Sequence, residues 1–295
     1  MEGVVGEPRA PKKKGRSGVR EGSLLGSPLV DQALSIIPGV DESIERGFAT
    51  VRDRGFTEAD ARTDFGKWMV AAHRAVAEAH RKAEAEALNK LVDLLLADAG
   101  TLPSADSDIR EWITAFLRKA APDFVAFEFR SGQSRKSRAG SVWEKIGEMF
   151  LEWNGIPCEK PTGESARRLR QIDKVVPSVQ VALTTPDKSI RLSFKTEARE
   201  KWRVLIDESR RGYVYLVTLG DDITPDRLVE MADSRLVVYV PREVKEKRPE
   251  FKDNPAIRVL DALPVDLRPF VPSRPDKPAD LMIPTGTVPD RRPKS

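Results

Sequence analysis

Between residues 189 and 240 the chain alternates short apolar runs with charged, helix-forming ones. This alternation restricts the fold more than any other feature. Residues 189–195, Tyr213–Leu219 and Leu236–Val240 are rich in β-branched, aromatic and leucine side chains, the texture of strands. A helix is expected over about 198–210, and another from Pro225 to about Ala232 with proline in its first turn. Upstream, residues 171–177 read as a strand with an acid at the third position. Residues 179–184 read as one more, joined to 189–195 by the turn sequence Thr185-Pro186-Asp187-Lys188. The expectation is an α/β (α+β) fold whose mixed central sheet is flanked by helices.

The first half has a different texture. Residues 1–27 are rich in Gly, Pro, Lys and Arg and read as a disordered basic tail, either merely solvated or an arm for phosphates. Thr57-Glu58-Ala59-Asp60 reads as a helix start, leading to Ala99 through one long helix or two joined ones, ended by Gly100-Thr101-Leu102-Pro103. Ser107 or Asp108 caps a further helix to about Ala120, with Trp112 and Phe116 on its apolar face. Phe124–Phe129 is a short strand or a helix end, Arg130–Gly140 a basic loop, and Ser141 to about Asn154 a helix closed by Gly155-Ile156-Pro157. The expected divisions are 1–27 as the tail, 28–122 as a helical part for DNA contact or dimerisation, 123–263 as the α/β core, and 264–295 as a Pro-rich, mostly irregular tail.

Composition removes several classes of chemistry. A single cysteine, Cys158, leaves no disulfide framework and no Cys-based zinc site. The two histidines, His73 and His80, share one helix at a seven-residue spacing and read as helix-surface or packing residues. No apolar run approaches the roughly 20 residues of a membrane helix, and the start lacks a signal-peptide pattern, so a cytoplasmic protein away from membranes is expected. No Gly-rich phosphate loop or nucleotide fingerprint is present, so no small-molecule cofactor is expected. The net charge of +4, from 50 basic and 46 acidic residues, permits a nucleic-acid partner without demanding one.

What remains is a carboxylate and lysine chemistry. Lys195 ends an apolar strand, where its charge is costly to bury without a partner. Asp173 lies on the strand before it, Glu208 on the helix after it, and Glu144 on the preceding helix. Carboxylates of this kind hold magnesium (Mg2+), a hard cation that prefers oxygen ligands, and with a lysine they suit phosphodiester hydrolysis.

Three segments carry a resemblance. Lys195-Thr196-Glu197-Ala198-Arg199-Glu200-Lys201-Trp202-Arg203 is similar to a Lys-x-x-x-Arg-(Glu/Asp)-Arg-Trp-(Arg/Lys) signature. Arg135-Lys136-Ser137-Arg138-Ala139-Gly140-Ser141-Val142-Trp143-Glu144 is similar to an Arg-Ser-Arg-Ala-Gly-(x)3-Glu segment. Tyr215–Leu219, a helix and Leu236–Pro241 are similar to a closing strand–helix–strand. All three belong to type II restriction endonucleases of the PD-(D/E)XK superfamily, in the SsoII–EcoRII branch, and the resemblance covers about 130–245.

The resemblance implies Mg2+-dependent double-strand cleavage of DNA at a palindrome containing CC…GG, of the CCNGG-like kind with one central pair, as part of a restriction-modification system. It implies a homodimer with one active site per strand. Asp173, Glu208 and Glu144 become metal ligands, and Lys195 joins Asp173 and these glutamates as a catalytic residue. In this branch the second motif acid is moved onto the helix about thirteen residues after the lysine. Ser193 stands at its usual place and Glu208 at the moved one, while Ile172 replaces the motif proline. Arg199, Glu200 and Lys201 become base readers, since arginine and lysine donate to guanine and an acid accepts from cytosine. Lys201 stands where an arginine is usual and lacks its bidentate fork. Arg135 and Arg138 become DNA contacts. Trp68 is either a packing residue or, as in members of the branch, an aromatic stacked on an extruded base. Asp187, in a literal Pro-Asp, competes with Asp173, but its turn setting accounts for it and Asp173 is preferred. The rival readings are a non-specific or repair nuclease of the same fold, told apart by discrete digestion bands, and a non-catalytic DNA-binding protein.

Overall fold

Residues 26–103, 106–197 and 202–272 are described in this computed structural model. They divide into two compact units. One holds the described residues up to 56 together with 71–146. The other holds 57–70 and those from 147 onward.

The first unit is helical. It contains α1 (Pro28–Leu34), α2 (Val40–Asp53) and the larger parts of two long helices, α4 (Phe65–Ala99) and α5 (Asp106–Trp153). The short α3 (Asp60–Thr63) precedes α4 and belongs to the second unit. As the Thr57 signal predicts, a start is built there: the Thr57 amide and hydroxyl donate to Asp60 Oδ2 at 2.7 and 2.6 Å. Gly100, with φ of 81°, follows the end of α4. Val30 and Ala33 of α1 pack with Leu91 and Leu95 of α4 and with Ala126 and Phe127 of α5. Gly47 lets α2 approach α4 closely, because a Cβ there would lie 2.8 Å from the backbone of Val76.

The expected break between residues 120 and 141 is absent, because α5 runs through it. Pro122 removes one helical donor without ending the helix. The small polar residues read as a loop are Ser, Gln, Arg, Lys and Ala with two glycines, and each glycine weakens a helix by only about 1 kcal/mol. Cross-links within the unit offset that. Ser131 donates to Glu84 Oε1 at 2.6 Å, and Arg138 donates to Ser134 Oγ at 2.9 Å.

The second unit is the α/β part. After α6 (Gly163–Arg168) come β1 (Lys174–Val176), α7 (Val179–Thr184) and β2 (Ile190–Lys195). Then follow α8 (Trp202–Ser209), β3 (Tyr213–Thr218), α9 (Pro225–Ala232) and β4 (Leu236–Val240). The unit ends with α10 (Arg242–Lys247), α11 (Pro249–Lys252), β5 (Ile257–Val259) and α12 (Leu263–Leu267). The described strands form one mixed sheet in the order β1-β2-β3-β4-β5. β1 is antiparallel to β2, and the other pairs are parallel. The mixed sheet flanked by helices is therefore present. The parallel strands are joined by helical crossovers, as parallel pairing requires.

Three local readings are corrected. Residues 179–184 form a helix, although Val-Gln-Val-Ala-Leu-Thr alternates like a strand. Ser178 Oγ accepts from Val181 N at 3.3 Å and Glu159 Oε2 from Val179 N at 2.8 Å, so the freed helix-start donors are satisfied. The strand expected over 171–177 shortens to three residues. Residues 264–270, expected to be irregular, are helical, in a helix that starts at Leu263 with Leu263 and Leu267 buried and Pro264 in the first turn. The two tails, as far as residue 25 and from 273, lie outside the described residues, as do Arg199, Glu200 and Lys201.

Strand β2 sets the two faces of the sheet. Leu192 and Phe194 point one way, where the Phe194 ring lies against Gly147 of α5. Arg191, Ser193 and Lys195 alternate onto the other face, in register with Val214, Leu216 and Thr218 of β3. On that face Val214 and Leu216 pack with Trp202 and Leu205 of α8 and Leu228 and Met231 of α9. Trp202 is core, and its Nε1 donates to Glu230 Oε2 at 3.0 Å.

Candidate active site

At the end of β2 the backbone delivers Lys195 next to Asp173. The Asp173 amide donates to Leu192 O at 2.8 Å, which fixes the residue at the lip of β1. Its Oδ2 then accepts from the Phe194 amide at 2.7 Å and from Lys195 Nζ at 2.5 Å, with Ser193 Oγ at 3.5 Å. Ser193 also donates to Gln171 O at 2.9 Å. Gln171 has φ of 61°, a left-handed conformation that a non-glycine residue adopts at some expense in energy. Asp173 and Lys195 are 19% and 20% exposed, so the pair is sheltered yet within reach of a ligand. Asp187 lies elsewhere, exposed and paired with Arg235 at 2.5 Å.

Glu208 sits near the end of α8, on the face of β2 that carries Lys195. Its side chain is 4% exposed. Arg191, 6% exposed, donates from one terminal nitrogen to Glu208 Oε2 and to the Glu208 carbonyl, each at 3.3 Å. Burial pushes the Glu208 carboxyl above its ordinary range. The guanidinium groups of Arg191, Arg211 and Arg170 and the Arg170 backbone amide pull the other way. Beside it opens a cleft of about 520 Å3, lined by Glu208, Arg191, Arg211, Arg170, Arg167 and Asp207 among others.

The remaining site residues are more scattered. Glu144 lies half-buried on α5, in the helical unit. Arg135 and Arg138 lie on the same helix instead of a loop. Arg135 pairs with Glu128 at 2.7 Å and Glu84 at 3.3 Å, and Arg138 also donates to the Pro38 carbonyl. Trp68 begins α4, half-buried, with Lys67 Nζ 5.2 Å from its ring centre. Among the described residues no three His, Cys, Asp or Glu side chains converge as a metal-holding group. The oxygen donors themselves suit a hard cation, and magnesium is commonly held by one or two carboxylates with waters and phosphate completing its shell. Asp173 and Glu208 are of that type.

Arg191, against Glu208, is not among the site residues expected from the sequence. Its signal was a charge inside an apolar strand, four residues before Lys195 and therefore on the same face. The histidines are packing residues as expected. His80 is buried beside Glu84, and the His73 ring meets Trp143 edge-on at 5.4 Å. Burial holds His73 down at about 4 and pushes the Cys158 thiol up to about 11. No helix among the described residues is long and apolar enough to cross a membrane.

The family described as EcoRII C terminal matches residues 106–261. The type II restriction enzyme SsoII of Shigella sonnei is 30% identical over 131 residues, which cover 41% of this chain and 42% of that protein. The chain thus spans less than half the length of this relative. Metal-depleted Ecl18kI in complex with uncleaved, modified DNA superposes with a TM-score of 0.67 at 18% identity over 82% of each chain. The restriction endonuclease PspGI in complex with substrate DNA does so with a TM-score of 0.55 at 17% identity, over 81% of this chain and 95% of the other. These likenesses carry the fold, and the family match extends over more than half of the sequence: the chain belongs to the EcoRII C-terminal family.

Proposed function

We propose that this protein is a type II restriction endonuclease that makes Mg2+-dependent double-strand cuts in DNA at a short palindrome containing CC…GG. The observation that carries this reading is the Asp173–Lys195 pair at 2.5 Å at the mouth of the sheet, with Glu208 on the same face, in a chain of the EcoRII C-terminal family. A relative is a type II restriction enzyme, and two structures of similar fold contain DNA.

In this reading Asp173, Glu208 and Glu144 hold the cation and Lys195 faces the scissile phosphate. A bound divalent cation supplies Lewis acidity to the phosphate and lowers the pKa of the attacking water. Lys195 adds positive charge where the transition state gathers negative charge, and its amine orients the water. The Phe194 amide and Ser193 hold Asp173 in place without a rotamer search. Arg199, Glu200 and Lys201 read the C·G pairs of the site, Arg135 and Arg138 contact the DNA, and Trp68 stacks on an extruded central base. The protein acts as a homodimer on double-stranded DNA. Exposed Ile113, Leu117, Val125 and Phe129, at multiples of four residues along α5, support an apolar contact between copies. The cytoplasm is the expected compartment.

The test is digestion of a defined DNA with and without Mg2+, followed by sequencing of the ends. Discrete ends at one palindrome are expected. A smear of ends points to a non-specific nuclease, and DNA binding without any cutting points to a non-catalytic protein.

A further inference from the structure

The cleft beside Glu208 gathers more positive charge than its own acids balance. Five arginines line it, Arg167, Arg168, Arg170, Arg191 and Arg211, against two carboxylates, Asp207 and Glu208. Both carboxylates are already engaged. Glu208 meets Arg191 at 3.3 Å through Oε2 and Arg211 at 3.5 Å through Oε1, and Asp207 pairs at 3.7 Å with Arg210, which is not part of the lining. Among the described residues Arg167, Arg168 and Arg170 form no ion pair. The floor is loosely bonded too. Arg191, 6% exposed, donates at 3.3 to 3.5 Å throughout, where charge-assisted bonds run about 2.7–2.9 Å, and its buried Nε has no acceptor among the described residues. Charge held this way is costly until an opposite charge joins it. Leu183, Val204 and Pro186 add apolar wall, which strengthens the field inside the cleft. The lining therefore suits an anion. One turn of the chain builds the rim: Arg167 and Arg168 close α6, Leu169 anchors the turn in the core, and Arg170 precedes the left-handed Gln171 that leads to Asp173.

We propose that this cleft is a phosphate-binding pocket, separate from the Asp173–Lys195 pair: the exposed Arg167, Arg168 and Arg170 grip the anion, and Arg191 supplies positive charge from the floor. Guanidinium forks match phosphate oxygens two at a time. The phosphate can come from the backbone of a bound duplex or from a free phosphate group in solution. The first source extends the nuclease reading, and only that choice of source rests on it. A backbone phosphate held here carries no sequence information, but it sets the register of the duplex beside Asp173.

The experiment measures duplex binding by the full chain in EDTA, by fluorescence anisotropy over a range of KCl, for one duplex containing CC…GG and one scrambled duplex. Inorganic phosphate is titrated by calorimetry in parallel. The double variant Arg167→Gln with Arg168→Gln changes two exposed positions that have no ion pair to lose among the described residues. It is expected to weaken both duplexes alike and to reduce the slope of log K against log salt by about two, one per arginine. The pair Arg167→Lys with Arg168→Lys keeps both charges and is expected to restore the slope. Phosphate binding that the Gln variant loses, with an unchanged duplex slope, supports the pocket and assigns it to free phosphate. An unchanged slope with phosphate affinity equal to wild type, or with no phosphate binding in either protein, overturns the inference. A loss confined to the CC…GG duplex makes these arginines base readers and overturns it as well. Should wild type bind neither duplex, the phosphate titration decides. Wild type that binds both duplexes and never cuts them with Mg2+ refutes the nuclease reading, while the slope still decides this inference.

Discussion

Gly147 lies where α5 presses on β2, and adding one methyl group there tests how tightly packing holds the active site. A Cβ on Gly147 would stand 2.7 Å from Phe194 Cζ and 2.8 Å from Cδ1, against 3.4 Å or more in ordinary contact. Phe194 is buried, and a rigid ring has no flexible end to swing aside. Gly147→Ala gains about 1 kcal/mol of helix propensity. It loses about 1–3 kcal/mol to overpacking. The net is a loss of up to ~2 kcal/mol, or up to about 8 °C in melting temperature for a domain of this size. The larger effect falls on the chemistry. The Phe194 amide holds Asp173 Oδ2 at 2.7 Å, so relief of the clash by a shift of β2 moves that anchor. A misplacement of about 1 Å can slow a reaction roughly a hundredfold. We expect Gly147→Ala to melt below wild type by urea titration and to cut a cognate duplex at least tenfold more slowly in single turnover. Gly132→Ala on the same helix is the control. Its Cβ meets only the tip of Arg135, at 3.9 Å, so it is expected to gain roughly 1 kcal/mol and cut normally. A Gly147→Ala protein as stable as wild type with undiminished cutting would refute the link from packing to Asp173.

Four further outcomes are expected. Asp173→Asn should abolish cleavage in a plasmid assay while Asp187→Ala cuts at wild-type rate; the reverse pattern would reassign the first acid of the site. His73 binds its proton at about 4 in the fold and near 6.5 when unfolded, so stability is level above pH 6.5 and falls as pH drops towards 4. That loss totals roughly 3 kcal/mol by urea melts, and His73→Leu should flatten it. Fluorescence of 2-aminopurine at the centre of an odd-length site should rise on binding wild type and not on binding Trp68→Ala. Cys158, with its thiol pushed up to about 11, should react slowly with a disulfide reagent at pH 8 and fast in urea.

The sheet was legible in the sequence because strands and helices differ in period, and the runs at β2, β3 and β4 are bounded by turn or capping residues. The errors came where local texture and satisfied donors disagree. α7 alternates like a strand, yet Ser178 and Glu159 supply the acceptors a helix start needs. Residues 130–140 look like a loop, yet α5 passes through them. In the site, Lys195 was legible because an unexplained charge ends an apolar strand, and Asp173 because it precedes that strand by one crossing. Arg191 was equally visible by its spacing, but its meaning depends on α8 folding back to bring Glu208 over it. That return path is a tertiary fact, and periodicity along one strand does not encode it.

The six matched positions of β2 and β3, from Ile190 opposite Tyr213 to Lys195 opposite Thr218, have a consequence for how this protein can change over time. Arg191 and Lys195 are four residues apart, about 13 Å along a strand, and they share a face because four is even. Losing or gaining a single residue between them would turn one of the two through the sheet, sending either the Arg191 guanidinium or the Lys195 amine into the wall that Gly147 and Phe194 close. Substitution can retune β2, but its length is frozen. Insertions and deletions that diversify this protein are therefore confined to the loops, and β2 is the stretch whose residue count every functional descendant must inherit.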